Sequence, residues 1–305
     1  MASAFIMHTS DGGESWCREE SNTISNLNDV AVNLADNVFI AVGDQGTILR
    51  RDRDGLWADV SPEGLSADLF SVAVSVSGMM VSGADGILLS SFDGGNNWRI
   101  STDFGYENTD LYSVNFDPTH PNSFLITGEN GFIYSSLERG VVLTGSSSDF
   151  VASCGMLCSG FPELVLGKDG TGYHIRNEEV FQTGDTVIRG ATEIVSGGGR
   201  YIAVGDDGYI CRNTSDYTWE SVPSATEENL NDVSYLVWGV TACAVGDNGT
   251  ILLSCDNGAT WTSMNPETAR DLTAVAGNGA GLACIVGKSA LSGVVNILPF
   301  RGASR

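Results

Sequence analysis

The sequence predicts an all-β protein, a single ring of seven four-stranded antiparallel blades, on three observations. A short apolar–glycine phrase recurs along the whole chain at a period of about 41 residues, the length of one propeller blade. Segments of helical periodicity are essentially missing, and the stretches between phrases read as strands and turns. The two chain ends each carry part of the repeat, as expected of a ring that must hide its last strand edges.

The phrase is an apolar triplet, Gly, a turn pair, Gly and an apolar pair. It reads IAVGDQGTIL from Ile40, MVSGADGILL from Met80, LITGENGFIY from Leu125, LVLGKDGTGY from Leu164, IAVGDDGYIC from Ile202 and CAVGDNGTIL from Cys243. A decayed copy, CIVGKSALSG, begins at Cys284. The leading glycines are Gly43, Gly83, Gly128, Gly167, Gly205, Gly246 and Gly287. The triplet is apolar at every position in most copies, so it predicts a short strand buried on both faces, here strand B. The glycine-bounded tetrad is a tight turn, in which Gly supplies positive φ and Asp or Asn tolerates it. The apolar pair after it opens strand C.

Strand A, the innermost, lies upstream: LNDVAV from Leu27, DLFSVAV from Asp68, DLYSVNF from Asp110, LNDVSYLV from Leu230 and DLTAVA from Asp271. Strand D follows a second turn with the pattern [ST]-x-D-x-G-x-x-W. That pattern occurs at Thr9–Trp16 (TSDGGESW), Ser91–Trp98 (SFDGGNNW) and Ser254–Trp261 (SCDNGATW), with degenerate forms ending at Trp57 and Trp219. Asp11, Asp93 and Asp256 are read as staples that accept backbone N–H groups across the turn, and Trp16, Trp98 and Trp261 as their packing partners between outer strands.

Closure follows from the ends. Residues 5–20 read as an orphan C–D pair, since FIMHTSDGGESW matches ILLSCDNGATW from Ile251. Residues 1–305 are therefore read as one domain, in which residues 1–20 complete the last blade with 271–298. Two segments, 5–9 and 291–298, compete for strand C of that blade, and the sequence leaves both open.

Composition narrows the function. The 305 residues are 42% hydrophobic and 17% charged, a core-forming balance that excludes a disordered tail. Fifteen Lys and Arg face 38 Asp and Glu, a net charge of -23, which argues against nucleic acid as a partner. No apolar run is long enough for a membrane helix, and MASAFIMHTSDGG lacks the basic and apolar regions of a signal peptide. With seven Cys in no metal-binding spacing, the expectation is reduced thiols in a cytoplasmic protein or one built into a virion. Cys243 and Cys284 take the place of aliphatic residues in other copies and are read as core.

The second turn resembles the Asp-box, or BNR, repeat. The longer unit VGDNGTILLSCDNGATW is similar to the repeat of the Ycf48-like family of photosystem II assembly factors, over almost the whole chain. The resemblance implies a seven-bladed propeller, with a role in assembly as one functional reading. It also implies an exported lumenal protein with an Arg-rich binding face, whereas this sequence has no export signal and thirteen scattered Arg in an acidic background. Asp boxes also occur in sialidases, whose likeness would demand three Arg converging on a substrate carboxylate. Only Arg189 and Arg270 fall in suitable loops.

The candidate binding residues are the acids of the B–C turns: Asp44, Asp85, Glu129, Asp169, Asp206 and Asp247, with Asp207 beside them. Glu63, Asp103, Glu107, Glu227, Glu228 and Glu267 of the D–A loops belong to the same face. They suit a basic protein partner or a cation, although Asp is also simply the preferred turn residue. His8, His120 and His174 lie in different blades, so neither a triad nor a zinc site is expected, and no cofactor. The expected function is non-catalytic: an interaction or structural module of a larger assembly, for example a phage tail, fibre or head-associated component. A photosystem II assembly factor is the first alternative. A sialidase-like protein that binds or cleaves glycans is the second.

Overall fold

The computed structural model describes residues 3–289 apart from 102–107, 117–122, 137–139, 142–146, 155–162, 177–178, 183–190, 198–199, 214–218 and 265–267. These residues form seven four-stranded antiparallel sheets. In blade one, strand A is Leu27–Val32, B is Phe39–Gly43, C is Ile48–Arg51 and D is Trp57–Asp59. Blades two to six repeat this order, with A strands at Leu69–Ser75, Ser113–Phe116, Phe150–Cys154, Ala191–Gly197 and Leu230–Val237. No helix among the described residues is long and apolar enough to cross a membrane.

Blade seven resolves the competition for strand C. Its A and B strands are Leu272–Gly277 and Ala283–Gly287, its C strand is Phe5–Thr9 and its D strand is Cys17–Glu20. Phe5 pairs with Gly287 and Thr9 with Ala283, so the first strand of the chain covers the edge of the last described one. The rival segment, 291–298, lies outside the described residues.

The apolar side chains form seven clusters, one at each blade interface. Strand B explains this. Phe39 and Ala41 face blade seven while Ile40 and Val42 face blade two, so alternate residues enter different cores and none faces water. Cys243 and Cys284 are fully buried in such clusters.

The B–C tetrad differs in detail from a simple hairpin turn. It is a single 3-10 turn in which the third residue, for example Gln45 (φ 58°) or Asn248 (φ 53°), takes the left-handed conformation together with the closing Gly. The leading Gly is extended, and its role is close approach. A Cβ on Gly43 would run into the Asn26 carbonyl, and one on Gly246 into that of Asn229. That contact lets the Asp44 amide donate to Asn26 O at 3.0 Å and the Asp247 amide to Asn229 O at 2.9 Å.

Candidate functional site

Strand A begins, and the B–C turns lie, on one face of the disc, here the turn face. The A–B and C–D loops lie on the opposite, hairpin face. Five of the turns reach across to the next blade, whereas in blade four the Asp169 amide donates to Ser148 Oγ of its own blade at 3.2 Å. In those five, the amide of the third turn residue donates to a side chain just upstream of the neighbouring strand A: Gln45 to Asp68 at 2.8 Å, Asp85 to Asp110 at 3.0 Å, Asn130 to Asp149 at 3.1 Å, Asp207 to Asn229 at 3.1 Å and Asn248 to Asp271 at 3.2 Å. Ser289 makes the same bond to Asn26 at 3.1 Å and so joins blade seven to blade one. Asp68, Asp110 and Asp271 stand at the head of strand A segments read from the sequence, whereas Asn26, Asp149 and Asn229 fall outside those segments.

The six acids named from sequence fall into two groups. Asp44, Glu129 and Asp247 are half-buried and turned inward. Asp44 accepts Nδ2–H groups of Asn26 (2.7 Å) and Asn28 (3.0 Å). Asp247 accepts those of Asn229 (3.1 Å) and Asn231 (2.9 Å). Glu129 accepts the Asp110 amide at 3.3 Å. It also takes a hydrogen bond from Tyr112, whose hydroxyl is pushed up to about 12, first by burial and then by the charges of Asp149, Glu129 and Asp110. Asp85, Asp169 and Asp206 stand exposed at the turn tips with Asp207, and Glu63 and Glu227 are exposed in the loops beside them. Asp103, Glu107 and Glu267 lie outside the described residues. Among the described residues, no three His, Cys, Asp or Glu side chains converge as metal ligands would.

On the hairpin face, the three Asp boxes share one hydrogen-bond pattern. Asp11, Asp93 and Asp256 each accept the hydroxyl of Thr9 (2.6 Å), Ser91 (2.9 Å) or Ser254 (2.9 Å). Each also takes the amide four residues on, from Ser15 (3.0 Å), Asn97 (3.0 Å) and Thr260 (2.8 Å). The Asn97 side chain above all holds the Asp93 carboxyl at about 2. Trp261 is buried and donates to Gly258 O at 3.2 Å, while Trp16 and Trp98 are half-buried with indole N–H groups that find no partner. Of the two arginines weighed for a carboxylate clamp, Arg189 lies outside the described residues. Arg270 donates to Ser3 O at 2.8 Å and lies over the Phe5 ring at 5.6 Å, so it fastens the N-terminal strand.

Sequence reasoning missed the centre of the ring. The A strands enclose a cavity of about 530 Å³ that runs from Asn28, Phe70, Tyr112 and Asn231 at the turn face to Leu34 and Trp238 at the hairpin face. Strand A carries a register shift near its start, between Leu27 and Asp29, Leu69 and Ser71, and Leu230 and Asp232. The residue after each shift staples its blade to the next. Asp29 accepts the Val72 amide at 2.8 Å, Ser71 accepts that of Val114 at 3.3 Å, and Asp232 accepts that of Val275 at 2.6 Å. Each Asp also takes the amide that follows it, Val30 at 2.7 Å and Val233 at 2.6 Å. Burial pushes the Asp29 carboxyl up to about 6, despite these bonds. Asp232 is pushed well above the ordinary carboxylate range, first by burial and then by the charge of Asp29. The signal in the sequence was the triplet Leu-Asn-Asp, present at both 27–29 and 230–232.

The fold matches solved structures of Ycf48. One, described as YCF48 bound to D1 peptide, aligns with a TM-score of 0.70 over 88% of this chain and 92% of that chain, at 15% identity. Another, YCF48 from Cyanidioschyzon merolae, aligns with a TM-score of 0.65 over 88% of this chain and 97% of that chain, at 17% identity. No protein-family model matches the sequence, and no curated protein matches it. At such identities the likeness is one of fold.

Proposed function

We propose that this chain is a non-catalytic protein-docking module of the assembly-factor kind, which offers its turn face to a partner carrying basic groups. The observation that carries this reading is the arrangement of acids on that face. The turns of Asp85 and of Asp206 and Asp207 are clamped to the next blade, and that of Asp169 to Ser148 of its own blade, which leaves all four as exposed charges on hydrogen-bonded turns. The likeness to a Ycf48 structure bound to a peptide supports a photosystem II assembly-factor-like role over a virion component.

The test is affinity capture with mass spectrometry from the source cells, using the full chain and a variant carrying Asp85→Asn, Asp169→Asn, Asp206→Asn and Asp207→Asn. The expected result is a protein partner held at low salt, released as salt rises, and lost from the variant. Capture that is insensitive to both salt and the four substitutions would remove the turn face from the reading. Recovery of the chain in purified particles would return the virion setting.

A further inference from the structure

We infer that the central channel is a second docking site, one that accepts an extended segment of a partner protein with a cationic side chain among apolar ones. The inference rests on the docking reading above and gives it an address and a chemistry. The described residues that line the channel include Asp29 and Asp232 but no Lys, Arg or His, so two carboxylates share the cavity without a cation. Their partners are amide N–H groups and, for Asp29, the Ser71 hydroxyl. A carboxylate has about four acceptor positions, so both keep capacity for a charged donor. A cationic side chain is the complement that this cavity lacks.

The walls define the rest of the occupant. At the hairpin face the mouth is apolar, with Leu34 58% and Trp238 41% exposed beside Val32, Val74 and Phe116. Large apolar groups left in water at the rim of a cavity are what a partner covers. The indole of Trp238 lies over Gly279, where any side chain would displace it, and forms one wall of that mouth. At the turn face, Phe70 and Tyr112 form a tilted pair 5.7 Å apart, with Asn28 in the neighbouring blade donating to Leu69 O at 2.9 Å and Asn231 across the ring. A volume of about 530 Å³ lies within the range of sites that enclose a ligand or a short chain segment. Charge near the turn face and a long apolar wall running to the hairpin face describe a strand-like segment better than a small ion.

The probe is a short acetylated peptide with one lysine between valine and leucine residues, titrated into the full chain and followed by Trp emission and by amide NMR shifts. Saturable binding is expected, with shifts at Asn28, Val72 and Val275. The analogue with norleucine for lysine should bind about tenfold more weakly. Asp29→Asn with Asp232→Asn should abolish that difference between the two peptides. Leu34→Ser with Trp238→Ser, which alters only the exposed mouth, should weaken both peptides alike and decides the matter if the Asp variant does not fold. Equal binding of the two peptides to the native chain, shifts confined to the turn tips, or no binding at all would overturn the inference. Partner capture that survives the mouth variant but not the turn-tip variant would leave the proposed function standing and remove the channel from it.

Discussion

Glu19 receives two N–H groups of Arg51, Nε at 2.8 Å and Nη2 at 2.6 Å, across the seam between blade seven and blade one. The Trp57 indole adds a third donor at 2.8 Å, and His8 Nδ1 lies 3.0 Å from the same carboxylate. Arg51 is buried and its guanidinium lies over the Phe39 ring, so neither partner can turn to water if the other is lost. Glu19→Ala should therefore cost about 3 kcal/mol in urea unfolding. Glu19→Leu combined with Arg51→Met should recover much of the loss, because an apolar pair strands no charge. A cost below about 1 kcal/mol for the single variant would mean that the pair is hydrated in solution.

Closure makes the same seam the weak point for truncation. Removing residues 1–20 would delete strands C and D of blade seven and expose the edge of Ala283–Gly287. It would also remove the carbonyl that holds Arg270 and the carboxylate that holds Arg51. The expected outcome is a large drop in melting temperature with aggregation, measured by thermal melts and light scattering. An unchanged melting temperature would show that another segment can take the place of Phe5–Thr9.

The half-buried state of Trp98 sets its contribution. Its ring packs against the interface of blades one and two, but its N–H is unpartnered. Trp98→Ala should cost about 2–3 kcal/mol, less than the 3–5 of a fully buried Trp. Trp57→Ala, which removes a buried ring and one of the N–H donors to Glu19, should cost more than Trp98→Ala. Paired denaturant titrations of the two variants check the order.

These cases also show which parts of the structure were legible in the sequence. The B–C tetrad and the Asp box were legible because their causes are local: a left-handed pair such as Gln45 and Gly46, or a carboxylate that bonds an amide four residues on, whereas the leading Gly43 answers to the distant Asn26 carbonyl. The link from Asp29 to Val72 spans 43 residues, as does that from Asp232 to Val275. Such a contact becomes visible only when the repeat length and the strand register are both known, because a one-residue slip turns the carboxylate to the other face. Glu19 and Arg51 sit in strands that carry no such repeat at these positions, so nothing in their neighbourhood marked them. The turn acids were legible as acids but not as two kinds, since Asp44 and Asp206 share the second place of the tetrad and only Asp44 is half-buried, held there by Asn26 and Asn28.

The channel carboxylates make a final prediction about pH. Asp29 has a carboxyl near 6 in the folded chain against an ordinary value of 3.8, and Asp232 is raised as well. Between those limits the folded chain holds protons that the unfolded chain has released, so stability falls as pH rises from about 4 to about 6 and is regained on acidification. Asp93 and Asp256 have the opposite sign. Their carboxyls are lowered in the folded chain, so the stability they contribute is present above 3.8 and is lost as pH falls through their folded values. Melting temperature should therefore be higher near pH 5 than at pH 7 and should fall again in stronger acid. Relief of repulsion among 38 acids also favours lower pH, so the comparison that isolates the channel is the slope of the wild-type chain against Asp29→Asn with Asp232→Asn. The variant should lose about 1–3 kcal/mol of the gain between pH 7 and pH 4, whatever its absolute stability. Parallel slopes would mean that water reaches these carboxylates freely and that the channel is no less polar than the outer surface.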